Sequence, residues 1–212
     1  MTAAWRALSA FVGLATLAGC AGGGDHPAGG GGRPTRRAPA ATFGLSVLRR
    51  PQTRADELPG ALSPAGAQPR YTRLLGRLAD RRFYLVTVAA RVGRSRQPQP
   101  ILLIAELLPH ATRAISIGGA TSAREIRAGH VGGTSSTRSS SGSYSTWVVG
   151  LVPDGVARVT VEIRSGERQT LPATRNFFAA AFRGRGDANA PMLRIVTWHD
   201  ARGRVVKAVR YP

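Results

Sequence analysis

From Ala157 to Arg164 the chain alternates without a break. Ala157, Val159, Val161 and Ile163 take one parity, and Arg158, Thr160, Glu162 and Arg164 take the other. A period of two is the mark of a strand with one face buried and one in water, and such strands belong to antiparallel sheets. The pattern also fixes register, because a slip of one residue would turn every apolar side chain to solvent. Ser165-Gly166 reads as a two-residue hairpin turn into Glu167–Leu171. On the other side, Trp147–Val152 is strand-like and stops at Pro153-Asp154-Gly155, where proline presets φ and glycine accepts positive φ.

Other segments extend this β-rich reading. Phe83–Val92 is nearly continuous apolar and β-branched, which predicts a strand. Ile101–Leu108, bracketed by Pro100 and Pro109, has the length of a buried strand, although periodicity alone leaves a helix open. Ile115–Ile117, Phe177–Phe182, Leu193–His199 and Arg204–Arg210 are further strands, the last two closed into a hairpin by Asp200-Ala-Arg-Gly203. Tyr71, Leu74, Leu75 and Leu78 recur at i, i+3, i+4 and i+7, which predicts an amphipathic helix with Arg70, Arg73 and Arg77 off its apolar face. Ser122-Ala-Arg-Glu125 is a capping box that opens a short helix ending at Gly129. Thr53-Arg-Ala-Asp56 has the same spacing, and Leu58-Pro59-Gly60 ends any helix there. Phe43–Leu48 is the first apolar cluster. Residues 59–69, Gly93–Pro100 and the Gly/Ser/Thr-rich Val131–Ser143 read as loops. The fold class expected is α+β, a mainly antiparallel β-sheet with two or three short helices, with a β-sandwich as the alternative.

The N-terminal stretch has a different character. Arg6 is followed by Ala7–Ala18, an apolar run without charge, and then by Leu17-Ala18-Gly19-Cys20. The run is shorter than the roughly 20 residues needed to span a bilayer and suits the apolar region of an export signal. All four residues from Leu17 to Cys20 resemble the lipobox of bacterial lipoproteins: an aliphatic residue, two small residues and the cysteine to be lipidated. The resemblance implies acylation of the Cys20 thiol and cleavage between Gly19 and Cys20. A plain secretory signal with an incidental cysteine, or an uncleaved membrane helix, is the alternative. Two acyl chains on Cys20 would anchor the protein stably, where one would hold it only marginally.

Cleavage would leave 193 of the 212 residues, and Cys20 is the only cysteine. Once it is lipidated, an intramolecular disulfide, a cysteine-based metal site and a cysteine nucleophile are all excluded. Residues 21–41 hold Gly22–Gly24, Gly29–Gly32, Pro27, Pro34 and Pro39 and read as a flexible tether, with an r.m.s. span of roughly 25 Å. Arg33, Arg36 and Arg37 would lie near the membrane, where each basic residue close to an anionic surface adds about 1 kcal/mol. The organisation expected is a signal peptide at 1–19, a lipidated cysteine and linker at 20–41, and one β-rich extracytoplasmic domain at 42–212.

The chain is strongly basic, with 30 Lys and Arg against 11 Asp and Glu; without residues 1–19 the balance is 29 to 11, a formal +18. Lys207 is the sole lysine. Arginine offers a planar fork suited to phosphate and carboxylate, although a GC-rich coding bias would favour it with no functional meaning. Such a surface attracts anionic headgroups or wall polymers. The tyrosines form no spaced set with the arginines, so an aromatic platform for nucleic acid lacks support.

Catalytic patterns are sparse. His26, His110, His130 and His199 have no i, i+4 partner for a helical zinc site, and no Gly-x-Ser-x-Gly elbow occurs. Ser139–Ser141 lie in a low-complexity stretch. His199 beside Asp200 sits at a hairpin turn, Gly118-Gly119 before Ser122 has the composition of an anion nest, and Trp147 and Trp198 are strand tryptophans that could also stack on sugars. Residues 147–212 resemble a C-terminal module of uncharacterised exported or membrane proteins of actinobacteria. The resemblance rests on Gly150-Leu-Val-Pro-Asp-Gly-Val156, Asn176-Phe-Phe178 and Trp198-His-Asp-Ala-Arg-Gly-Arg-Val205 and implies no activity. No catalytic residue, metal ligand or cofactor is assigned. The function expected is that of a lipid-anchored extracytoplasmic binding or structural module, with a lipid-anchored hydrolase and an arginine-mediated binder of anionic envelope polymers as alternatives. The expected partner is membrane lipid, through the acylated Cys20.

Overall fold

The computed structural model describes residues 43–58, 63–64, 66–91, 97–111, 113–129, 131–187 and 189–212. The readings placed on residues 1–42, including Gly19, Cys20, Arg33, Arg36 and Arg37, lie outside the described residues. The described residues fall within one compact unit and are mainly antiparallel β-sheet with two short α-helices.

Three sheets share the strands. The first has the order β1 (Arg73–Leu78), β2 (Arg81–Ala90), β3 (Gln99–Leu107) and β4 (Ile115–Ala120). A central sheet has the order β5 (Gly132–Arg138), β6 (Ser143–Leu151) and, after an excursion, β9 (Phe177–Arg185). The C-terminal sheet has the order β11 (Val205–Arg210), β10 (Leu193–His199), β7 (Arg158–Ile163) and β8 (Arg168–Pro172). The helices are α1 (Ser46–Arg49) and α2 (Ala123–Ala128).

The central sheet is apolar on both faces. One parity of β6 and β9 presents Val149, Leu151 and Phe177 to Leu75, Phe83, Leu85, Leu102 and Ile104 of the first sheet. The other parity presents Val148, Phe178, Ala180 and Phe182 to Val159, Val161, Ile163, Val196 and Trp198 of the C-terminal sheet. Each such side chain contributes about 1.5–3 kcal/mol when taken fully out of water. The first core is completed by Phe43, Leu45, Val47 and Leu48 and by Ile126 of α2. Ser122 caps that helix by accepting from the Glu125 N–H, and Gly129 ends it in the left-handed region at φ +88°. The Glu125 carboxylate reaches back to the Thr121 N–H at 2.7 Å.

Three expectations are corrected. Residues 71–78 are not a helix: Pro69–Tyr71 form a 3-10 turn and Arg73–Leu78 form β1. Leu74 and Leu75 point to different cores because both faces of this strand are covered. A bulge between Leu74 and Gly76 then shifts the pattern, and the spacing imitates a helical stripe. Residues 132–138 are not a loop, since β5 pairs with β6 along its whole length, and only Ser139–Gly142 form a turn. Its side chains are polar because β5 is an edge strand, and Ser136 and Thr146 exchange a cross-strand hydroxyl bond of 2.7 Å. The turn after β7 has three residues, not two. The Gly166 N–H donates to Ile163 O, and the Ile163 N–H donates to Glu167 O.

The alternation in β7 lands as expected, with Val161 at 0 % exposure and Thr160 on the opposite, half-exposed side. Val161→Asp should therefore cost several kcal/mol, through a buried unpaired carboxylate, whereas Thr160→Asp should cost about 1 kcal/mol or less. Urea midpoints of the two variants measure the difference. Equal midpoints would contradict the register.

Candidate ligand-binding face

The C-terminal sheet buries one face against the central sheet, and its other face is polar. Register sets the polar rows. Arg168, Glu162, Ile195 and Arg210 lie in one line across β8, β7, β10 and β11. Thr170, Thr160, Thr197 and Ala208 form the next, and Pro172, Arg158 and His199 the third. An open depression of about 320 Å³ lies on this face, lined by Thr160, Glu162, Arg168, Ile195, Thr197 and His199.

A bulge brings one more cation to the face. Leu193 pairs with Ile163 and Ile195 with Glu162, so Arg194 is the extra residue of β10. Bulges re-aim side chains, and Arg194 donates to Glu162 Oε1 at 2.7 Å while Arg168 donates to Oε2 at 3.1 Å. The Glu162 side chain is 13 % exposed, against 65 % for Arg168 and 55 % for Arg194. Each Glu162 oxygen thus accepts one guanidinium bond, and the guanidinium groups remain open to solvent. Thr160 Oγ1 links Thr170 Oγ1 at 2.9 Å to His199 Nε2 at 3.0 Å, a chain of hydrogen bonds along the floor.

The other residues singled out in the sequence have mostly structural positions. Asp200 holds its own turn. It accepts from the Arg202 and Arg204 N–H groups and pairs with the Arg204 guanidinium, which holds its carboxyl below the usual range. Gly118 and Gly119 are strand residues of β4, not an anion nest. A Cβ on Gly118 would lie 2.6 Å from Gly132 O, so the missing side chain lets β5 approach β4. Trp198 is buried, and Trp147 is half-buried beneath the Arg81 guanidinium, 3.9 Å from its ring centre. Arg81 also pairs with the buried Glu106. Ser139 and Ser141 bond to each other in the turn between β5 and β6. His110 sits in a turn at φ +58°, while His26 and His130 lie outside the described residues. Among the described residues no group of acids and histidines has the arrangement of a metal site.

A polar clasp, unread in the sequence, ties the turns at 153–155 and 174–176 to residues 46–49. Asn176 Oδ1 accepts from Ser46 Oγ and the Val47 N–H, and its amide donates to Val152 O and to Asp154 Oδ1. Asp154 also accepts from the Ser46 N–H and pairs with Arg49 at 2.6 Å. Burial pushes the Asp154 carboxyl up. The bonds from Asn176, Ser46 and Arg49 more than offset this and hold it at about 2, below its ordinary 3.8. The only available signal was a pair of turn-forming polar residues flanked by large apolar ones, and nothing in the sequence said that the two turns meet.

No protein-family model, no curated protein and no solved structure matches this chain. Its functional reading therefore rests on its own residues.

Two outcomes follow from the clasp. Asn176 has φ +62°, so Asn176→Gly relieves the backbone but deletes the clasp bonds. It should still destabilise the protein by about 1–3 kcal/mol, measured by denaturant titration. An aspartate with a depressed pKa gives stability that is complete above its unfolded value and lost as pH falls through its folded one. Thermal midpoints should thus decline between about pH 4 and pH 2, and Asp154→Asn should flatten that decline.

Proposed function

We propose that this chain is a lipid-anchored extracytoplasmic protein, a non-enzymatic envelope module that binds its ligand without converting it. The observation that carries the reading is Leu17-Ala18-Gly19-Cys20, which fits the lipobox pattern at every position behind a charged start and a short apolar run. The glycine- and proline-rich residues 21–41 suit a tether. From Phe43 onward the chain supplies core side chains, so tether and domain meet at a sharp boundary in sequence. Within this reading the fold is the sandwich alternative: a central sheet apolar on both faces lies between two others, and the short helices fill gaps.

Binding is favoured over the hydrolase alternative by the state of the polar groups. General acid–base hydrolysis needs a carboxylate or imidazole free to exchange protons with a bound substrate. Glu162 accepts from Arg168 and Arg194 and Asp200 is held in its own turn, so among the described residues of this face the His199 Nε2–Thr160 Oγ1 pair is the contact a hydrolase reading would have to use.

Cys20→Ser should abolish lipidation and move the protein from the membrane fraction to the soluble fraction. Fractionation with intact-mass measurement checks this, and unchanged mass with equal membrane retention would remove the anchor. Deleting residues 22–40 should leave the melting temperature within about 2 °C of the parent, since a loss of 1 kcal/mol shifts a domain of this size by about 2–4 °C.

A further inference from the structure

We infer, building on the envelope reading above, that the outer face of the C-terminal sheet binds a linear polyol-phosphate polymer. The phosphodiesters would lie on Arg168, Arg194 and Arg210, and the polyol hydroxyls on Thr160, Thr197 and His199. Arg168 on β8 and Arg210 on β11 stand in one row across the sheet, and Arg194, the bulge residue of β10, reaches that row through its bond to Glu162. Arg168 and Arg194 therefore converge on the Glu162 carboxylate, with Arg210 at the β11 end of the same row. Each guanidinium carries five N–H groups. Glu162 fixes Arg168 and Arg194 in place, and both stay more than half exposed. A fixed, exposed guanidinium is preorganised for a second, bidentate contact with phosphate.

Beside that row run Thr170, Thr160 and Thr197, with His199 in the next row bonded to Thr160. These groups donate and accept, as sugar-alcohol hydroxyls require. Cations and hydroxyl partners in adjacent rows match a chain that alternates phosphate with polyol. A neutral glycan would offer these guanidinium groups no anionic oxygen beyond those of Glu162. Nucleic acid would find no Trp, Tyr or Phe on this face for its bases to stack on. An anionic bilayer is the competing occupant, because Val205 and Val206 stand exposed on the edge strand β11. The depression of about 320 Å³ with Glu162 in its wall favours a chain that enters it over a flat surface that cannot.

The test uses the full-length chain in neutral detergent, with poly(glycerol phosphate) of defined length as the probe at physiological salt. Uncharged polyglycerol, phosphatidylglycerol vesicles and an oligothymidylate are parallel arms. Arg168→Gln with Arg194→Gln should weaken polymer binding at least about tenfold, the loss of charge-assisted bonds. Arg82→Gln with Arg124→Gln removes the same charge from other surfaces and should weaken it by no more than about threefold. Thr197→Glu leaves both arginine pairs with Glu162 intact, places a carboxylate in the groove and should weaken binding as the first double variant does. Melting temperatures establish that each variant is folded. Equal losses in the two double variants would reduce the effect to net charge and overturn the inference. So would vesicles or oligothymidylate binding as tightly as the polymer, or no polymer binding by the parent chain. The Cys20→Ser fractionation reads the anchor separately, so failure here leaves that reading standing.

Discussion

A sheet that is apolar on both faces cannot be left with one face in water, and the arrangement of this protein follows from that constraint. β6 and β9 alternate large apolar residues toward both sides: Val149, Leu151 and Phe177 one way, and Val148, Phe178 and Phe182 the other. Two covers are needed, and the chain supplies one from each end. The N-terminal strands close one side together with Phe43–Leu48 and Ile126. The hairpins β7-β8 and β10-β11 close the other. Pairing of β6 with β9 encloses β7 and β8 as an excursion in the chain, so the C-terminal sheet is assembled from segments before and after β9.

The covers then differ in what they do with their outer faces. The first sheet also buries its outer side, where Tyr84, Val86, Val88 and Leu107 meet Leu58, Ala67 and Ala111 of the connecting segments. The segment that carries Leu58 is fixed there by charge. Asp56, at 1 % exposure, accepts from Arg50, from the Thr53 N–H and hydroxyl, and from the Leu74 N–H. Burial raises its carboxyl, but these bonds prevail and hold it well below the usual carboxylate range. Breaking such a buried pair from one side costs about 3–5 kcal/mol, because it strands the remaining charge. The C-terminal sheet has no comparable cover among the described residues, and its outer rows are Arg, Thr, Glu and His. One cover is closed by apolar contacts and a buried ion pair; the other presents its polar rows to solvent.

Local pattern was legible in the sequence, and pairing was not. The strict alternation of β7 gave its core face, Pro153-Asp154-Gly155 gave its entry, and Ser122–Gly129 gave α2 nearly to the residue. Patterns failed where a strand lost its simple parity. β1 is buried on both faces and bulged, so its leucines imitate helical spacing, although Gly76 in their midst disfavours a helix by about 1 kcal/mol relative to alanine. β5 lacks apolar residues because an edge strand needs only its backbone bonds to β6. The candidate face was half visible. Arg158, Thr160 and Glu162 follow from alternation, but Arg168, Thr170 and Thr197 join them only through register, and Arg194 only through a bulge.

Three C-terminal segments hold this architecture together. In Gly150–Val156, Asp154 anchors the clasp. In Asn176–Phe178, Asn176 completes it and the two phenylalanines enter opposite cores. In Trp198–Val205, Trp198 fills the second core and Asp200 shapes the closing turn. These segments hold turns in place and join the sheets, and of the residues lining the depression they include His199 alone. Thr160, Glu162, Arg168 and Thr197 all lie outside them, as does Arg194. A chain could keep every one of these segments, and with them the clasp and both cores, while changing the polar rows of the C-terminal sheet. Those segments therefore fix the architecture. The polar rows between them, where we propose that the ligand lies, can change independently: an exchange such as Thr197→Glu alters the groove without touching either core.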